Sequence, residues 1–245
     1  MVQYGKIIIY MMHDYSFIYE FLGHTAGSSL KLRAQRSVKT EELISVISNV
    51  SAPLKPLGWS NSLQQVKREI GTLLSMLRKR NVKSMMEIGT RNGGTLFLFS
   101  WTLPSDAKII SLDLPSEQSI KRGYDRFKTS RLASFIQTGQ QLTLLRGDSH
   151  NPSSLSKAKA ALKGEKLDFL FIDGDHTYEG VKKDFEMYSP LVRKGGLVAF
   201  HDICGHDLGI SEVDRYWSEI KNRYPHTEII EDSNQKWAGI GLLYV

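Results

Sequence analysis

The sequence has little of several features that would define other classes of protein. It contains one cysteine, Cys204, in 245 residues, which excludes an internal disulfide framework and is typical of a reducing compartment. No apolar run approaches the roughly 20 residues that a membrane-spanning helix needs. The apolar stretch at residues 7–12 is short, and no small-residue cleavage site is evident, so a secretory signal is not expected. We therefore expect a cytoplasmic protein without a membrane span.

Most of the chain has no excess of positive charge; the excess lies in its N-terminal third. Residues 1–80 hold 11 Lys and Arg against 5 Asp and Glu, whereas the remainder holds 21 of each. Such a patch can attract nucleic acid, anionic lipid or an acidic substrate. Few aromatic residues interleave with these basic residues, which disfavours nucleic-acid binding. The favoured interpretation is a solvated helical face.

The chain also lacks internal repeats and low-complexity tracts, and its composition is that of an ordinary globular protein. The segment 51–62 contains two prolines and a glycine and is typical of a linker or ordered loop. We predict a basic, partly helical N-terminal extension over residues 1–60 and one larger domain over residues 61–245. Apolar residues at helical spacing predict an amphipathic helix over 64–80.

Strand and helix patterns alternate from residue 82 onward. The predicted strands are residues 82–88, 108–112, 142–145, 167–172 and 197–200, followed by 228–231 and 239–245. The predicted helices are residues 94–101, 117–136, 152–162, 178–192 and 211–223. Such alternation predicts right-handed βαβ units and a parallel sheet with helices on both faces. A polar turn joins the last two strands, which predicts an antiparallel edge.

Ionisable residues follow two of these predicted strands. Asp173, Asp175 and His176 come directly after the strand 167–172, and His201 and Asp202 follow the strand 197–200. Ligands of open α/β sheets bind in the crevice at the carboxyl ends of the strands. The sequence therefore predicts that these acids and imidazoles meet at one place, and that chemistry occurs there.

A glycine-rich turn follows the first predicted strand. Glu87 lies near the strand end, and Gly89, Gly93 and Gly94 follow as the chain turns into a helix. Glycines allow close approach of a ligand to the backbone, and a helix N-terminus offers free N–H donors. The segment reads E-x-G-x-x-x-G-G, so it lacks both the G-x-G-x-x-G dinucleotide fingerprint and the lysine of a P-loop.

Acids at the ends of the next two strands complete a predicted nucleoside pocket. Asp113 ends the second strand, where an acid typically accepts hydrogen bonds from ribose hydroxyls. Asp148 and Ser149 follow the third strand, where an adenine edge would be recognised. One such group after each of three consecutive strands favours a nucleoside pocket over three unrelated strand caps.

The segments EIGTRNGG, SLDLP, GDS, FIDGDHTYEGV and LVRKGGLVAFHDI, in this order, resemble the class I S-adenosylmethionine-dependent methyltransferases. More narrowly, they resemble the bacterial subgroup of small-molecule O-methyltransferases and cephalosporin-hydroxylase-like proteins. The similarity covers about residues 64–245. It implies an α/β, Rossmann-like, doubly wound sheet of seven strands, mostly parallel with an antiparallel last strand.

The resemblance also implies S-adenosylmethionine as cofactor and assigns residues to it. Its predicted binding residues are Glu87, Gly89, Thr90, Gly93, Asp113, Asp148, Ser149 and Asp173. The first of these and the glycines would shape the site of the methionine moiety, Asp113 would hold the ribose, and Asp148 and Ser149 would contact the adenine. Asp173 would lie beneath the methyl group that is transferred.

Methyl transfer to oxygen needs a nucleophile aligned with the methyl group and a means of removing the hydroxyl proton. Metal-dependent relatives that resemble this chain place acids after the fourth and fifth strands. One interpretation is therefore a divalent-metal triad of Asp173, His201 and Asp202, holding Mg²⁺ or, because of the imidazole, Mn²⁺. The other is a metal-free general base, His201 or His176, tuned by a carboxylate. Asp175 could instead simply cap the following helix.

The favoured function is methyl transfer from S-adenosylmethionine to a hydroxyl of a small molecule, of sugar or natural-product type. Methylation of RNA or another nucleic acid is the alternative that the basic N-terminal segment suggests. Base methyltransferases often carry Asn/Asp-Pro-Pro-aromatic after the fourth strand, where this chain has Asp173-Gly174-Asp175-His176, so that alternative is disfavoured. A non-catalytic scaffold of the same fold is the third hypothesis. A homodimer is a further expectation.

Overall fold

The computed structural model describes residues 24, 25, 28, 29, 31, 34, 39–48, 65–115, 126–205 and 209–245. Most of the predicted N-terminal extension and the predicted linker 51–62 lie outside these residues. The first part of the predicted helix 117–136 and residues 206–208 also lie outside them. The basic patch at the N-terminus is therefore largely a prediction from the sequence.

Seven strands form one sheet. They are β1 (Ser84–Ile88), β2 (Lys108–Asp113), β3 (Gln141–Arg146), β4 (Leu167–Ile172), β5 (Val192–His201), β6 (His226–Ile229) and β7 (Ile240–Tyr244). Their order is β3-β2-β1-β4-β5-β7-β6, and β7 runs antiparallel to both of its neighbours. The predicted fold class is confirmed. Because β7 inserts between β5 and β6, the outer edge at this side is β6 rather than the last strand.

Seven helices flank the sheet in the described part of the chain. They are α1 (Thr40–Ser48), α2 (Lys67–Lys79), α3 (Gly94–Thr102), α4 (Arg126–Ala133), α5 (Pro152–Leu162), α6 (Tyr178–Tyr188) and α7 (Val213–Ile220). The prediction of a helix over 178–192 was too long. The chain passes through a 3₁₀ turn, Ser189–Leu191, and β5 already begins at Val192. Pro190 explains the early end, because it has no N–H to continue an α-helix.

Two hydrophobic layers enclose the sheet. On one face α1, α2 and α3 bury residues such as Leu73 and Phe97, and on the other α5, α6 and α7 bury residues such as Val181 and Trp217. The central strand β4 contributes alternate side chains to both layers, as its continuous apolar sequence predicts. Within the described residues, no helix combines the length and apolar character that crossing a bilayer requires.

The strand order reverses between β1 and β4. The chain from β1 proceeds to β2 and β3 on one side of the sheet, whereas β4 and β5 extend the other side. In open α/β sheets such a reversal leaves a crevice outside the carboxyl ends of the strands, where ligands bind. The predicted site residues lie at this end of β1 to β5.

Candidate active site

Two adjoining clefts open at the carboxyl ends of the strands. The β2 cleft has a volume of about 660 Å³, and the β5 cleft one of about 720 Å³. The β2 cleft is lined by residues that include Leu112, Asp113, Gly147, Asp148, Ser149, His150 and Asp175. The β5 cleft is lined by residues that include Gln65, Thr90, Thr95, His201, Asp202, Ile210 and Trp237. Gly89, Arg91, Asp173 and His176 line both.

The turn after β1 places the ends of three strands in contact. Gly89 has φ +92°, and its N–H donates to the carbonyl of Leu112, 2.9 Å away. A Cβ at Gly89 would lie 1.9 Å from the carbonyl oxygen of Asp173, so a side chain cannot be accommodated there. The absence of a side chain lets Asp173 stand at the wall between the clefts.

Two of the predicted cofactor-binding residues lie behind the clefts rather than on their surface. Gly93 begins α3 with φ +78°, and a Cβ there would lie 2.1 Å from Leu132 Cδ2, so this glycine permits helix packing. Glu87 is fully buried and accepts a hydrogen bond from Thr95. Burial raises the pKa of Glu87 to about 8, so its carboxyl group is neutral at pH 7. Thr90, also predicted, lines the β5 cleft and bonds to Ser111.

Asp113 ends β2 at the wall of the β2 cleft. Its carboxylate accepts hydrogen bonds from the backbone N–H groups of Arg91 (3.1 Å) and Leu114 (3.0 Å). It also pairs with the ammonium of Lys128 at 3.0 Å. Burial raises the pKa of Asp113, and Lys128 offsets this only in part. The carboxylate is thus fixed in orientation, as recognition of a pair of ribose hydroxyls would require.

The loop after β3 forms the far end of the β2 cleft. Asp148 accepts a hydrogen bond from the N–H of His150 (2.8 Å), and the carbonyl of Ser149 accepts one from Tyr188 (2.8 Å). His150 was missed at the sequence level, although it directly follows the predicted pair. Its Nε2 lies 3.4 Å from the fully buried carboxylate of Asp184. That interaction raises the pKa of His150.

Two acids and two imidazoles form a cluster at the ends of β4 and β5. His176 Nδ1 donates to Asp202 Oδ2 at 2.8 Å, and His176 Nε2 lies 3.7 Å from Asp173 Oδ1. His201 Nδ1 lies 3.3 Å from Asp173 Oδ1 and 3.2 Å from Asp202 Oδ1. The sequence prediction that these four side chains meet agrees with this geometry.

Within the cluster, the pKa values of the two imidazoles are raised and the pKa of Asp202 is lowered. Burial alone would lower the pKa of His201, but the carboxylates of Asp173 and Asp202 outweigh it and raise the pKa to about 10. The hydrogen bond to Asp202 likewise raises the pKa of His176. Burial would raise the pKa of Asp202, yet the hydrogen bond from His176 and the nearby imidazole of His201 hold it well below its usual range. Without a metal ion, the cluster therefore contains positive imidazolium beside negative carboxylate.

The backbone at Asp202 is in the left-handed region, with φ +62°. A non-glycine residue in this region is uncommon, and such strain concentrates at functional sites. The strand β5 pairs with β7 up to His201, which lies opposite Ile240. The sharp change of direction immediately after that pair turns the Asp202 carboxylate toward His176 and His201.

The same side chains have the composition and spacing of a site for a divalent metal ion. Asp173, His201 and Asp202 each offer one ligand atom, and these atoms lie within 4.8 Å of one another. His201 is 5% exposed, and neither of its ring nitrogens has hydrogen-bond geometry to another described residue. A buried imidazole with an unused nitrogen beside two carboxylates fits a divalent cation, which would take the place of the imidazole proton.

Asp175 has a structural partner. Its Oδ1 accepts a hydrogen bond from the N–H of Thr177 at 2.9 Å, and the Thr177 hydroxyl caps α6 by accepting from Gly180 N at 3.1 Å. The N-cap of α6 is therefore Thr177 rather than Asp175, and Asp175 stabilises the turn that precedes the helix. Asp175 also lines the β2 cleft, next to Gly174.

Several residues that line the β5 cleft, among them Gln65, Ile210 and Trp237, were not named as site residues from the sequence. Gln65 precedes α2 and donates from Nε2 to Asp173 Oδ2 at 3.2 Å. Ile210 and Trp237 are large apolar side chains with exposed fractions of 65% and 46%. Their positions depend on long-range packing, and the local sequence around them carries no motif.

Sequence and structure comparisons agree with this geometry. A family model described as a methyltransferase domain matches residues 86–203, a range that spans β1 to the end of β5. The match includes the glycine turn, Asp113, the loop after β3 and the whole acid and imidazole cluster. The matched region therefore lines the whole β2 cleft and most of the β5 cleft, whereas Gln65, Ile210, Ser211 and Trp237 lie outside it.

Two curated plant enzymes are similar over a comparable region. A flavonoid 3',5'-methyltransferase from Vitis vinifera is 31% identical over 144 residues, which is 57% of this chain and 55% of that protein. A caffeoyl-CoA O-methyltransferase from Populus kitakamiensis is 29% identical over 146 residues, which is 59% of this chain and 57% of that protein. The chain thus aligns with little more than half the length of these relatives.

Solved structures share the fold at low sequence identity. An O-methyltransferase from Bacillus cereus, in complex with SAH, aligns over 83% of this chain and 97% of its own, with a TM-score of 0.57 and 15% identity. A caffeoyl-CoA O-methyltransferase-like structure from Staphylococcus aureus gives a TM-score of 0.56 at 20% identity and covers 84% of this chain and 99% of its own. These likenesses establish the architecture. Together with the family match, they show a methyltransferase domain over residues 86–203 within a fold that these solved structures share.

Proposed function

We propose that this protein transfers a methyl group from S-adenosylmethionine to a hydroxyl of a small molecule. The observation that carries the proposal is the junction of the two clefts at Asp173. One cleft has the polar groups expected around a nucleoside, and the other contains the acid and imidazole cluster. Two ligands that react with each other would meet at this shared wall.

The β2 cleft is assigned to the cofactor. Asp113 would accept hydrogen bonds from the ribose, and the loop of Asp148 and Ser149 would contact the adenine. Gly89 would leave space for the methionine moiety against the turn after β1. Glu87 and Gly93 would support this wall from behind, through Thr95 and through the packing of α3. In the relative from Bacillus cereus, SAH is the bound ligand.

The β5 cleft is assigned to the acceptor. Asp173, His201 and Asp202 would hold a divalent cation, for which the imidazole favours Mn²⁺ over Mg²⁺. Such an ion lowers the pKa of a bound hydroxyl, which makes it a better nucleophile. His176 is the most exposed member of the cluster, with 38% of its side chain exposed. It would take up the acceptor proton at Nε2, while Nδ1 donates to Asp202, 2.8 Å away, and keeps the ring oriented.

The named activities of the plant relatives favour a small acceptor. Flavonoids and caffeoyl-CoA are the molecules named for the two curated enzymes, and the β5 cleft of about 720 Å³ suits an acceptor of that order of size. We propose that such a hydroxylated small molecule, rather than nucleic acid, is the acceptor. The division into residues 1–60 and 61–245, a cytoplasmic location and a homodimer remain part of the proposal.

Calorimetric titration with S-adenosylmethionine and with SAH tests the cofactor half of the proposal. The wild-type protein is expected to bind both, and methyl transfer from radiolabelled S-adenosylmethionine to a panel of phenols and sugars identifies the acceptor class. A wild-type protein that binds neither cofactor form would contradict the proposed function.

Metal removal tests the acceptor half. Treatment with EDTA should abolish transfer, and Mn²⁺ should restore it. Loss of the Mn²⁺ electron paramagnetic resonance signal of the free ion gives a binding readout that does not depend on activity. Full activity in excess EDTA would contradict the metal assignment and favour His176 acting without a metal ion.

A further inference from the structure

Helix α2 and the loop between β6 and β7 form a connected wall of the β5 cleft that no part of the proposed chemistry explains. Gln65, at the start of α2, and Trp237, in the loop, both line the cleft. Glu69, which follows Gln65 by four residues and lies in the first turn of α2, is 1% exposed. A carboxylate so deeply buried is costly unless it is fully hydrogen-bonded.

Among the described residues, the Glu69 carboxylate accepts its hydrogen bonds from the loop between β6 and β7. Its Oε1 accepts from Glu231 N at 3.0 Å and from Gln235 Nε2 at 2.7 Å, and its Oε2 accepts from Gly239 N at 3.0 Å. The three donors come from both ends and the middle of the loop. One carboxylate therefore fixes the whole loop against α2.

The contacts of Glu69 extend directly to Trp237. Gln235 Nε2 also donates to the Trp237 carbonyl at 2.9 Å. The next two residues, Ala238 and Gly239, both have left-handed backbones, with φ +59° and +80°. Cys204 N donates to the carbonyl of Ala238 at 2.9 Å, which joins the loop to the segment that follows Asp202. Hydrogen bonds from Gln235 and Cys204 therefore fix the backbone around Trp237, whose side chain lines the same cleft as the acid and imidazole cluster.

Gln65 makes the corresponding contact with the cluster. Its Nε2 donates to Asp173 Oδ2 at 3.2 Å, so Oδ1 is the oxygen that faces His201 and His176. The side chain is 8% exposed, and its Oε1 has no partner among the described residues. Gln65 therefore fixes the orientation of Asp173.

The wall is also the apolar part of the cleft mouth. Trp237 and Ile210 are two of the four large apolar side chains that are exposed in the described residues, and both line the β5 cleft. Large exposed apolar side chains that cluster at a cleft mark a binding surface. An indole face stacks favourably on a flat ring.

We propose that Trp237 binds a flat ring of the acceptor next to its reacting hydroxyl, and that Glu69 and Gln65 are positioning residues for Trp237 and for Asp173. This inference deepens the proposed function and rests on it. Glu69 acts through the loop and does not touch the acceptor. Gln65 acts through Asp173 Oδ2, to which its Nε2 donates.

The test uses the full-length protein with SAH, Mn²⁺ and 4-nitrocatechol, a flat ring with two adjacent hydroxyls whose absorbance changes on binding. Trp237→Ala should weaken 4-nitrocatechol binding at least tenfold, whereas Trp237→Phe, which keeps a ring, should weaken it less than threefold. SAH affinity should stay within twofold in both variants. Equal binding by wild type and Trp237→Ala, or tighter wild-type binding of methyl glucoside than of 4-nitrocatechol, would overturn the assignment of Trp237.

Glu69→Ala should raise amide hydrogen exchange at least tenfold in residues 231–239 and weaken 4-nitrocatechol binding by a similar factor, with SAH affinity unchanged. Glu69→Gln keeps one carbonyl oxygen and should give intermediate values of both. Thr72→Ala, on the exposed side of α2, is the matched control and should change neither. A loop that exchanges faster without weaker 4-nitrocatechol binding would reduce Glu69 to a purely structural role and overturn the proposal for it.

Gln65→Ala should weaken 4-nitrocatechol binding without faster exchange in residues 231–239, because Gln65 contacts Asp173 and not the loop. Unchanged 4-nitrocatechol binding would overturn the role of Gln65. Failure of the wild-type protein to bind SAH would contradict the proposed function itself. A wild-type protein that binds SAH but not 4-nitrocatechol would contradict only the proposal that Trp237 binds a flat ring of the acceptor. The two failures are therefore distinguishable.

Discussion

The two clefts differ in how their polar groups are built. Around the β2 cleft, Asp113 and the loop after β3 are held by separate contacts, mainly with backbone N–H groups and with Lys128. Around the β5 cleft, four ionisable side chains bind one another, and Gln65 joins them from 108 residues away. A site made of separate contacts should lose one function when one residue changes. A coupled cluster should lose its function as a unit.

The largest effect is expected where coupling is strongest. Asp202→Ala removes the carboxylate that both His176 and His201 face, so proton transfer and the proposed metal site fail together. We expect methyl transfer to fall by on the order of 10³-fold or more. SAH affinity should change less than twofold, because Asp202 lines only the β5 cleft.

Steady-state transfer rates and calorimetric SAH binding, measured side by side, check this prediction. Glu165→Ala is the matched control, since Glu165 is an exposed acid paired with Lys108 far from both clefts. An Asp202→Ala enzyme that retains a tenth of wild-type activity would show that the cluster is not the reacting centre.

The second effect should fall on the other cleft alone. Asp113→Ala removes a charged acceptor of hydrogen bonds at the proposed ribose site, which corresponds to roughly 10- to 100-fold weaker SAH binding. Asp106→Ala is a close control, because Asp106 precedes the same strand and pairs with Lys83 at the amino ends of β1 and β2, away from the clefts. Calorimetry on both variants decides the matter. Undiminished SAH affinity in Asp113→Ala would contradict the assignment of the cofactor to the β2 cleft.

The same difference explains what the sequence could predict. The sheet, its antiparallel last strand and the meeting of Asp173 with His201 follow from strand patterns and from the rule that parallel strands end at one edge. Asp113, Asp148 and Ser149 were named because they lie in short motifs at strand ends, whereas partners such as Lys128 and Tyr188, which only the fold brings to them, were not. Gly93 was assigned to the cofactor, yet its φ and its contact with Leu132 place it in helix packing.

The wall of the β5 cleft that α2 and the β6–β7 loop form was not predicted from the sequence, for a physical reason. Glu69 and Trp237 are brought together by the packing of α2 beside β6, and neither residue has a local pattern that distinguishes it from any other amphipathic-helix acid or loop aromatic. Long-range pairings of this kind depend on the whole fold. The extent of helix 178–192 was overestimated for a smaller reason, because Pro190 ends it only in combination with the start of β5.

The third prediction contrasts two buried acids. Asp202 is ionised at neutral pH, whereas burial raises the pKa of Glu87 from 4.5 to about 8. The folded state thus holds a proton at Glu87 that the unfolded chain has lost. Its contribution to the free energy of unfolding is fully present below about pH 4.5 and is lost as the pH rises to about 8.

The Glu87→Gln variant, which cannot ionise, should show a flatter pH profile of the unfolding free energy between pH 5 and 8. The difference in slope should accumulate to on the order of 3 kcal/mol over this range. Urea unfolding at several pH values measures it. Profiles with the same slope for wild type and Glu87→Gln would mean that Glu87 is ionised in the folded protein at neutral pH.

The smallest effect separates support from chemistry. Thr177 caps α6 next to the cluster, and Asn151 caps α5 next to the β2 cleft, each by accepting a hydrogen bond from a backbone N–H. Thr177→Ala and Asn151→Ala should each lower the free energy of unfolding by about 1 kcal/mol, which corresponds to a fall in Tm of about 2–4 °C. Because both residues act only on helix ends, transfer rates at 20 °C should remain within twofold of wild type. Differential scanning calorimetry and steady-state rates test the pair together. A loss of activity beyond tenfold in Thr177→Ala, with a stability change equal to that of Asn151→Ala, would show that the segment 175–177 takes part in the reaction rather than supporting His176 from α6.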